Sequence, residues 1–183
     1  MRLFVALDVP ATALEHLEHA VAAVRSDDGR LRWVPSDRWH VTLAFLGEVP
    51  EGRLAPLVER LTRAAGRHPT MGLAFAGAGR FGSRVLWAGV QGDREQLAGL
   101  ARAVAAAARR AGVPVDERTL RPHVTLARGR TTSLDLRPFV EALSDYRGPS
   151  WQAESFSLVR SQLGPQPRHE TVRSWPLAAG TTR

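Results

Sequence analysis

The tetrapeptide His-Val-Thr-Leu occurs twice, at His40–Leu43 and again at His123–Leu126. Repetition of all four residues in matching halves constrains the architecture more than any other feature, because it asks for two related units joined in one chain. Each copy lies in a stretch rich in β-forming residues: His40–Leu46, stopped by Gly47, and His123–Ala127. Side chains alternate along a strand, so His and Thr project from one face while Val and Leu turn to the other. Each copy therefore presents an imidazole beside a hydroxyl, on a rigid support whose reverse side is packed.

The segments around the two copies follow a similar grammar. Leu3, Val5 and Leu7 mark a first strand that Asp8 interrupts, and Leu14, Leu17, Val21 and Val24 recur at helical spacing over about 11–25. Asp27-Asp28-Gly29 reads as a turn, Leu31–Val34 as a short strand ended by Pro35, and Leu54, Leu57, Val58 and Leu61 as a second amphipathic helix. The second half predicts strands at 72–77 and 84–90, with Gly77-Ala-Gly79 as a turn and Trp87 in the core. A helix follows, carrying Leu97, Leu100, Ala101, Val104 and Ala108 on one face; a short helix near 137–143 and strands near 151–159 and 170–175 complete it. The sum is an α+β, bilobal fold: two pseudo-symmetric, antiparallel-rich sheets with outer helices around a central cleft, packed as a single unit over 1–183 with a mobile tail at 178–183.

Composition removes several kinds of chemistry. All 25 basic residues are Arg, with no Lys and no Cys in 183 residues. Disulfides, thiolate metal sites, Cys nucleophiles, Schiff bases, a Lys-bearing phosphate loop and a lysyl-nucleotide intermediate are thus excluded. A formal net charge of +7 suits an anionic partner, although Ala, Arg and Gly richness also accompanies GC-rich coding. No segment approaches the ~18 apolar residues that span a bilayer, and the N-terminus lacks the apolar region of a signal peptide, so no membrane association and a cytoplasmic location are expected.

Two His-x-Thr pairs brought together by an approximate twofold make a phosphate site. Thr42 and Thr125 can donate to nonbridging oxygens while His40 and His123 flank the phosphorus. One neutral imidazole then deprotonates water and one protonated imidazole serves the leaving oxygen, both states being accessible near pH ~6.5. Hydroxyls and nearby Arg can stabilise the developing charge without a metal or other cofactor. One His-x-Thr alone would be an ordinary hydrogen-bonded pair; a duplication retained for packing would keep Val and Leu more readily than both His and both Thr.

The chain resembles the 2H phosphoesterase superfamily, and within it the LigT-like RNA 2′,3′-cyclic phosphodiesterases once called 2′-5′ RNA ligases. The likeness rests on Arg2–Leu7, Leu31–Pro35, His40–Glu48, Arg84–Gly89, Arg121–Arg128 and Ser161–Pro165. It implies hydrolysis of an RNA-terminal 2′,3′-cyclic phosphate, or a cyclic nucleotide, to a 2′-phosphate by a monomer. His40 is implied as general acid on O3′ and His123 as general base on water. The resemblance also implies Phe45 stacking on the terminal base and Arg128 contacting phosphate. Strict alternation puts Phe45 and Arg128 on the faces opposite their histidines, so these two roles require a bulge or strand end near Gly47 and Gly129; Arg130 competes with Arg128.

The remaining candidates carry less. His16, His19, His68 and His169 lack partners at metal-ligand spacing and read as surface residues. Arg160, Arg168 and Arg173 flank a 162–167 loop that can border the cleft and follow an RNA backbone. Two other functions stay open: 2′-5′ ligation as the reverse reaction, and an RNA- or nucleotide-binding module without turnover.

Overall fold

A computed structural model describes residues 1–27, 29–116 and 121–180. Fourteen-residue α1 (Ala11–Val24) starts behind Pro10, and α2 (Glu51–Ala65) behind Pro50 with Glu51 in its first turn. Helix α3 (Arg94–Arg110) has Glu95 in its first turn and Arg109 and Arg110 in its last, complementing the helix dipole. Its buried face is Leu97, Leu100, Ala101, Val104, Ala107 and Ala108, the set that the helical spacing predicts plus Ala107. The short α4 covers Arg137–Ala142.

The strands are β1 (Arg2–Leu7), β2 (Leu31–Trp33), β3 (Val41–Glu48), β4 (Met71–Phe81), β5 (Val85–Gly92), β6 (His123–Gly129), β7 (Trp151–Ala153), β8 (Ser155–Gln162) and β9 (Arg168–Pro176). They form a four-stranded sheet, β3-β1-β8-β9, and a five-stranded sheet, β2-β6-β5-β4-β7. Every pairing between these strands is antiparallel. Aligning the motif strands β3 and β6 matches β1 with β5, β8 with β4 and β9 with β7, leaving β2 as the extra edge strand. The mixed, antiparallel fold expected from the sequence is therefore present.

The lobes do not coincide with the sequence halves. The first sheet takes β8 and β9 from the far end of the chain, and the second takes β2 from its beginning. Helices cross as well: α1 follows β1 yet packs on β4, and α3 follows β5 yet packs on β3. One continuous core results, running from Leu3, Val5 and Leu17 through Leu57 and Leu61 to Leu86, Val104, Leu126 and Phe156.

Three local expectations need correction. The 151–159 stretch is two strands, because the chain leaves one sheet and enters the other at Glu154, whose carbonyl accepts the Leu177 N–H (2.8 Å). Gly77-Ala-Gly79 is not a turn but the bulged part of β4, where Gly77 has φ +63° and the β4–β5 register slips between Phe75 and Ala78. The tail does not begin at Ala178, which bonds through its N–H to His68 O (2.9 Å) and through its carbonyl to Thr70 N–H (3.0 Å); residues 181–183 and Asp28 of the expected turn lie outside the described residues.

Trp87 also leaves its expected place. Leu86, Ala88 and Val90 fill the core, so Trp87 stands on the opposite face of β5, beside Phe81 (5.5 Å between ring centroids) and His123 (6.0 Å). Its ring occupies the space over Gly79, where any Cβ would collide with it. Gly79→Ala is expected to destabilise the protein by about 1–3 kcal/mol through this overpacking. Urea unfolding of the variant, monitored by tryptophan fluorescence, checks this; an unchanged midpoint would show that the ring can move aside.

Candidate active site

Both motif strands carry a surplus residue at the same place in the tetrapeptide, and β3 carries a second at Leu46, since Phe4 pairs with Phe45 and Leu3 with Gly47. Opposite β3, Val5 pairs with Ala44 and Ala6 with Thr42, so Leu43 has no partner of its own; opposite β6, Leu86 pairs with Ala127 and Trp87 with Thr125, leaving Leu126 as the extra residue. Leu43–Ala44 and Leu126–Ala127 are all buried. Each bulge thus sends two successive side chains into the core and flips the phase of the residue that follows. Phe45 then pairs with Phe4 on the face that Thr42 shares, and Arg128 pairs with Val85 on the face of Thr125 and His123. The condition that the sequence imposes on Phe45 and Arg128 is met by these bulges rather than by the glycines.

The two faces enclose a cleft of about 560 Å³ whose lining includes His40, Thr42, Phe45, His123, Thr125 and Arg128. The rings of both histidines are held in the same way. His40 Nδ1 donates to the Arg38 carbonyl (2.8 Å) and His123 Nδ1 to the Arg121 carbonyl (2.6 Å), each two residues upstream. A carbonyl can only accept, so Nδ1 carries the proton and Nε2 is the nitrogen left for chemistry. The upstream turns are built for this. Before His40, a 3₁₀ turn at Ser36–Arg38 leads to buried Trp39, whose indole donates to Val34 O (2.9 Å). Before His123, Pro122 restricts Arg121 to extended backbone.

Aromatic rings wall both imidazoles. Phe4 lies 4.6 Å from His40 and His169 lies 5.2 Å from it, ring centroid to centroid; Phe81 meets His123 edge-on at 5.1 Å. Burial therefore dominates their titration. His40 is pushed down from 6.5 to about 4, first by desolvation and then, against the pull of the Arg38 carbonyl, by His169, His123 and Arg128. His123 is lowered by desolvation and by Arg128, and the Arg128 guanidinium is itself lowered by burial and by neighbouring Arg32. Both imidazoles are consequently neutral at pH 7 until an anion enters the cleft.

Arg130 does not join the cleft lining but faces a neighbouring concavity with Arg32, Arg128 and Gly129. His169 does join it, correcting the surface reading, as do Arg2, Arg32 and Arg38, which sequence reasoning passed over. No local motif marks His169; it reaches the cleft because β9 pairs with β8, setting it opposite Ser161 and 5.1 Å from Phe4. The 162–167 loop does border the cleft through Leu163, Gly164, Pro165 and Pro167, whereas Arg160 pairs with Glu170 at 4.0 Å and Arg173 lies over Trp175. His16 bonds Tyr146 Oη (2.8 Å) and His68 bonds Ala64 O (2.8 Å), both away from the site. Among the described residues no three His, Cys, Asp or Glu side chains cluster so as to hold a metal ion, and no helix is long and apolar enough to cross a membrane.

The profile of the 2′-5′ RNA ligase superfamily matches residues 5–165. The chain belongs to that superfamily. Among its curated relatives, an Escherichia coli RNA 2′,3′-cyclic phosphodiesterase is 35% identical over 183 residues, covering 96% of each chain. A Geobacillus stearothermophilus RNA 2′,3′-cyclic phosphodiesterase is 35% identical over 151 residues; the match covers 79% of this chain but only 47% of that relative's length. Among solved superfamily structures, E. coli LigT complexed with 3′-AMP superposes with a TM-score of 0.80 at 30% identity, over 96% of this chain and 97% of LigT.

The depressed His40 makes stability depend on acid. Unfolded, the imidazole titrates near 6.5; folded, near 4. Its contribution is complete above pH 6.5 and is lost as pH falls through the interval, where the unfolded chain binds the extra proton. Between pH 7.5 and pH 5 this costs about 2 kcal/mol. His40→Gln should lose correspondingly less stability over that range, as read from denaturant midpoints; parallel losses in parent and variant would place the acid sensitivity elsewhere.

Proposed function

We propose that this chain hydrolyses RNA-terminal 2′,3′-cyclic phosphates, and the matching cyclic nucleotides, to 2′-phosphates. The observation that carries the proposal is the pair of equivalent imidazoles, each locked through Nδ1 and each beside a Thr, lining one cleft with Arg128. Relatives named RNA 2′,3′-cyclic phosphodiesterase and the LigT complex with 3′-AMP support the substrate class.

The steps follow from the geometry. Thr42 and Thr125 donate to the nonbridging oxygens, and Arg128 offsets the charge that builds up on them. His123 Nε2 takes a proton from water as its oxygen bonds to phosphorus. The P–O3′ bond breaks, and His40 Nε2–H supplies the proton that O3′ needs, leaving a 2′-phosphomonoester and a free 3′-hydroxyl. Phe45, 61% exposed at the mouth of the cleft, offers its ring to the terminal base. The catalytic groups need no metal or other cofactor in this scheme. The more deeply depressed His40 is the stronger acid once protonated, which suits a donor to a departing alkoxide.

The reverse direction, attack of a 5′-hydroxyl on the cyclic phosphate, uses the same groups and gives a 2′-5′ linkage; the superfamily's name favours keeping it in view. With no Lys, any such joining proceeds without lysyl-adenylate.

Incubation with nucleoside 2′,3′-cyclic phosphates and EDTA should yield the 2′-monophosphate, and His40→Ala and His123→Ala should each lower kcat by about 10²–10⁴. A 3′-monophosphate product would exchange the roles of the two histidines or reverse the substrate. Full activity in either variant would refute the assignment. Because both free imidazoles are lowered, the kcat/KM optimum should lie on the acid side of pH 6.5. The kcat optimum should lie higher, since bound phosphate raises both pKa values; coincident optima would count against two buried imidazoles sharing one proton.

A further inference from the structure

Register places Arg32 of β2 directly opposite Arg128 of β6, on the face that also bears Thr125 and His123. Two like charges in a cross-strand pair repel and destabilise the sheet. Arg130 continues the same line, its N–H bonded to the Arg30 carbonyl (2.9 Å) across the β2–β6 ladder. None of Arg32, Arg128 and Arg130 forms an ion pair among the described residues. The three line a concavity of about 360 Å³, and Arg32 and Arg128 also line the main cleft, so the two spaces adjoin. Burial and the Arg32 charge lower the Arg128 pKa, so the pair is costly in the absence of an anion. A concavity lined by guanidinium groups, with no carboxylate among its described lining residues and next to the main cleft, has the chemistry of a second phosphate site.

We propose that Arg32 and Arg130, with Arg128 shared between the two spaces, bind the phosphate on the 5′ side of the terminal nucleotide. The preferred substrate is then an oligonucleotide end rather than a mononucleoside cyclic phosphate. The inference rests on the reading of the cleft as a cyclic phosphodiesterase site and deepens it. Arg128 serves the reacting phosphate, while Arg32 and Arg130 serve substrate length. Hydrolysis itself breaks no bond at this second phosphate; the subsite contributes binding only.

The test compares three substrates: adenosine 2′,3′-cyclic phosphate, the same compound carrying a 5′-phosphate, and the dinucleotide ApA ending in a 2′,3′-cyclic phosphate. The parent protein should show kcat/KM about tenfold or more higher on the dinucleotide than on the mononucleoside, the size of one charge-assisted contact. Arg130→Ala should erase most of that ratio while leaving the mononucleoside rate within about twofold, and Arg32→Ala should erase the ratio whatever it does to the mononucleoside rate. The logarithm of kcat/KM against the logarithm of salt concentration should be steeper for the dinucleotide by about 0.7, one phosphate's worth on a single strand. An equal gain with the 5′-phosphorylated mononucleoside would assign the subsite to any 5′-phosphate; a gain only with ApA would assign it to the internucleotide diester. No preference in the parent, or an equal loss on all three substrates in the variants, would overturn the proposal. Should the parent hydrolyse none of them, the phosphodiesterase reading fails. Calorimetric binding of adenosine 3′-monophosphate against ApA 3′-monophosphate then still decides the subsite: tighter dinucleotide binding abolished by Arg32→Ala upholds it, and equal binding rejects it.

Discussion

The placement of one surplus leucine in each tetrapeptide governs the cleft. Without the bulges at Leu43 and Leu126, an uninterrupted period of two would carry His and Thr on one face and bury Phe45 and Arg128 behind them. With them, the core receives two adjacent apolar side chains and the cleft receives an aromatic ring in one lobe and a guanidinium in the other. The same backbone irregularity, present in both motifs, yields two similar frames that are furnished differently, one with an aromatic ring and one with a guanidinium.

The histidine supports show the same economy. Each ring is fixed by a carbonyl two residues upstream, and each is walled by aromatic groups that exclude water. Desolvation works against protonation, and the Arg128 guanidinium works in the same direction on both rings. An entering phosphate anion relieves both penalties at once. In the proposed reaction the protonated imidazole is therefore favoured mainly with a phosphate bound, which would couple proton uptake to binding.

What could be read from the sequence divides along the range of the interactions involved. The helices followed from spacing, since Leu97, Leu100, Val104 and Ala108 report their own periodicity. His40, Thr42, His123 and Thr125 were legible because the repeat is local and its alternation fixes which side chains share a face. The alternation called for a bulge or strand end near Gly47 and Gly129 but could not place it at Leu43 and Leu126, because a surplus residue is defined only against a partner strand. His169 and Trp87 were misplaced for related reasons: the first depends on β9 pairing with β8, and the second sits in an apolar run that does not say which face is core. The exchange of strands between lobes was equally hidden, since it joins segments from opposite ends of the chain.

That exchange has a consequence for synthesis. The sheet behind His40 joins β1 to β8 and β9, and His169 on β9 forms part of the wall against which His40 rests. Emerging from a ribosome, the first motif strand is made more than a hundred residues before either of those neighbours, which span Ser155–Gln162 and Arg168–Pro176. Such long-range pairings form slowly and late. A nascent chain, though it already carries both motifs once residue 126 is translated, would lack the wall against which His40 rests.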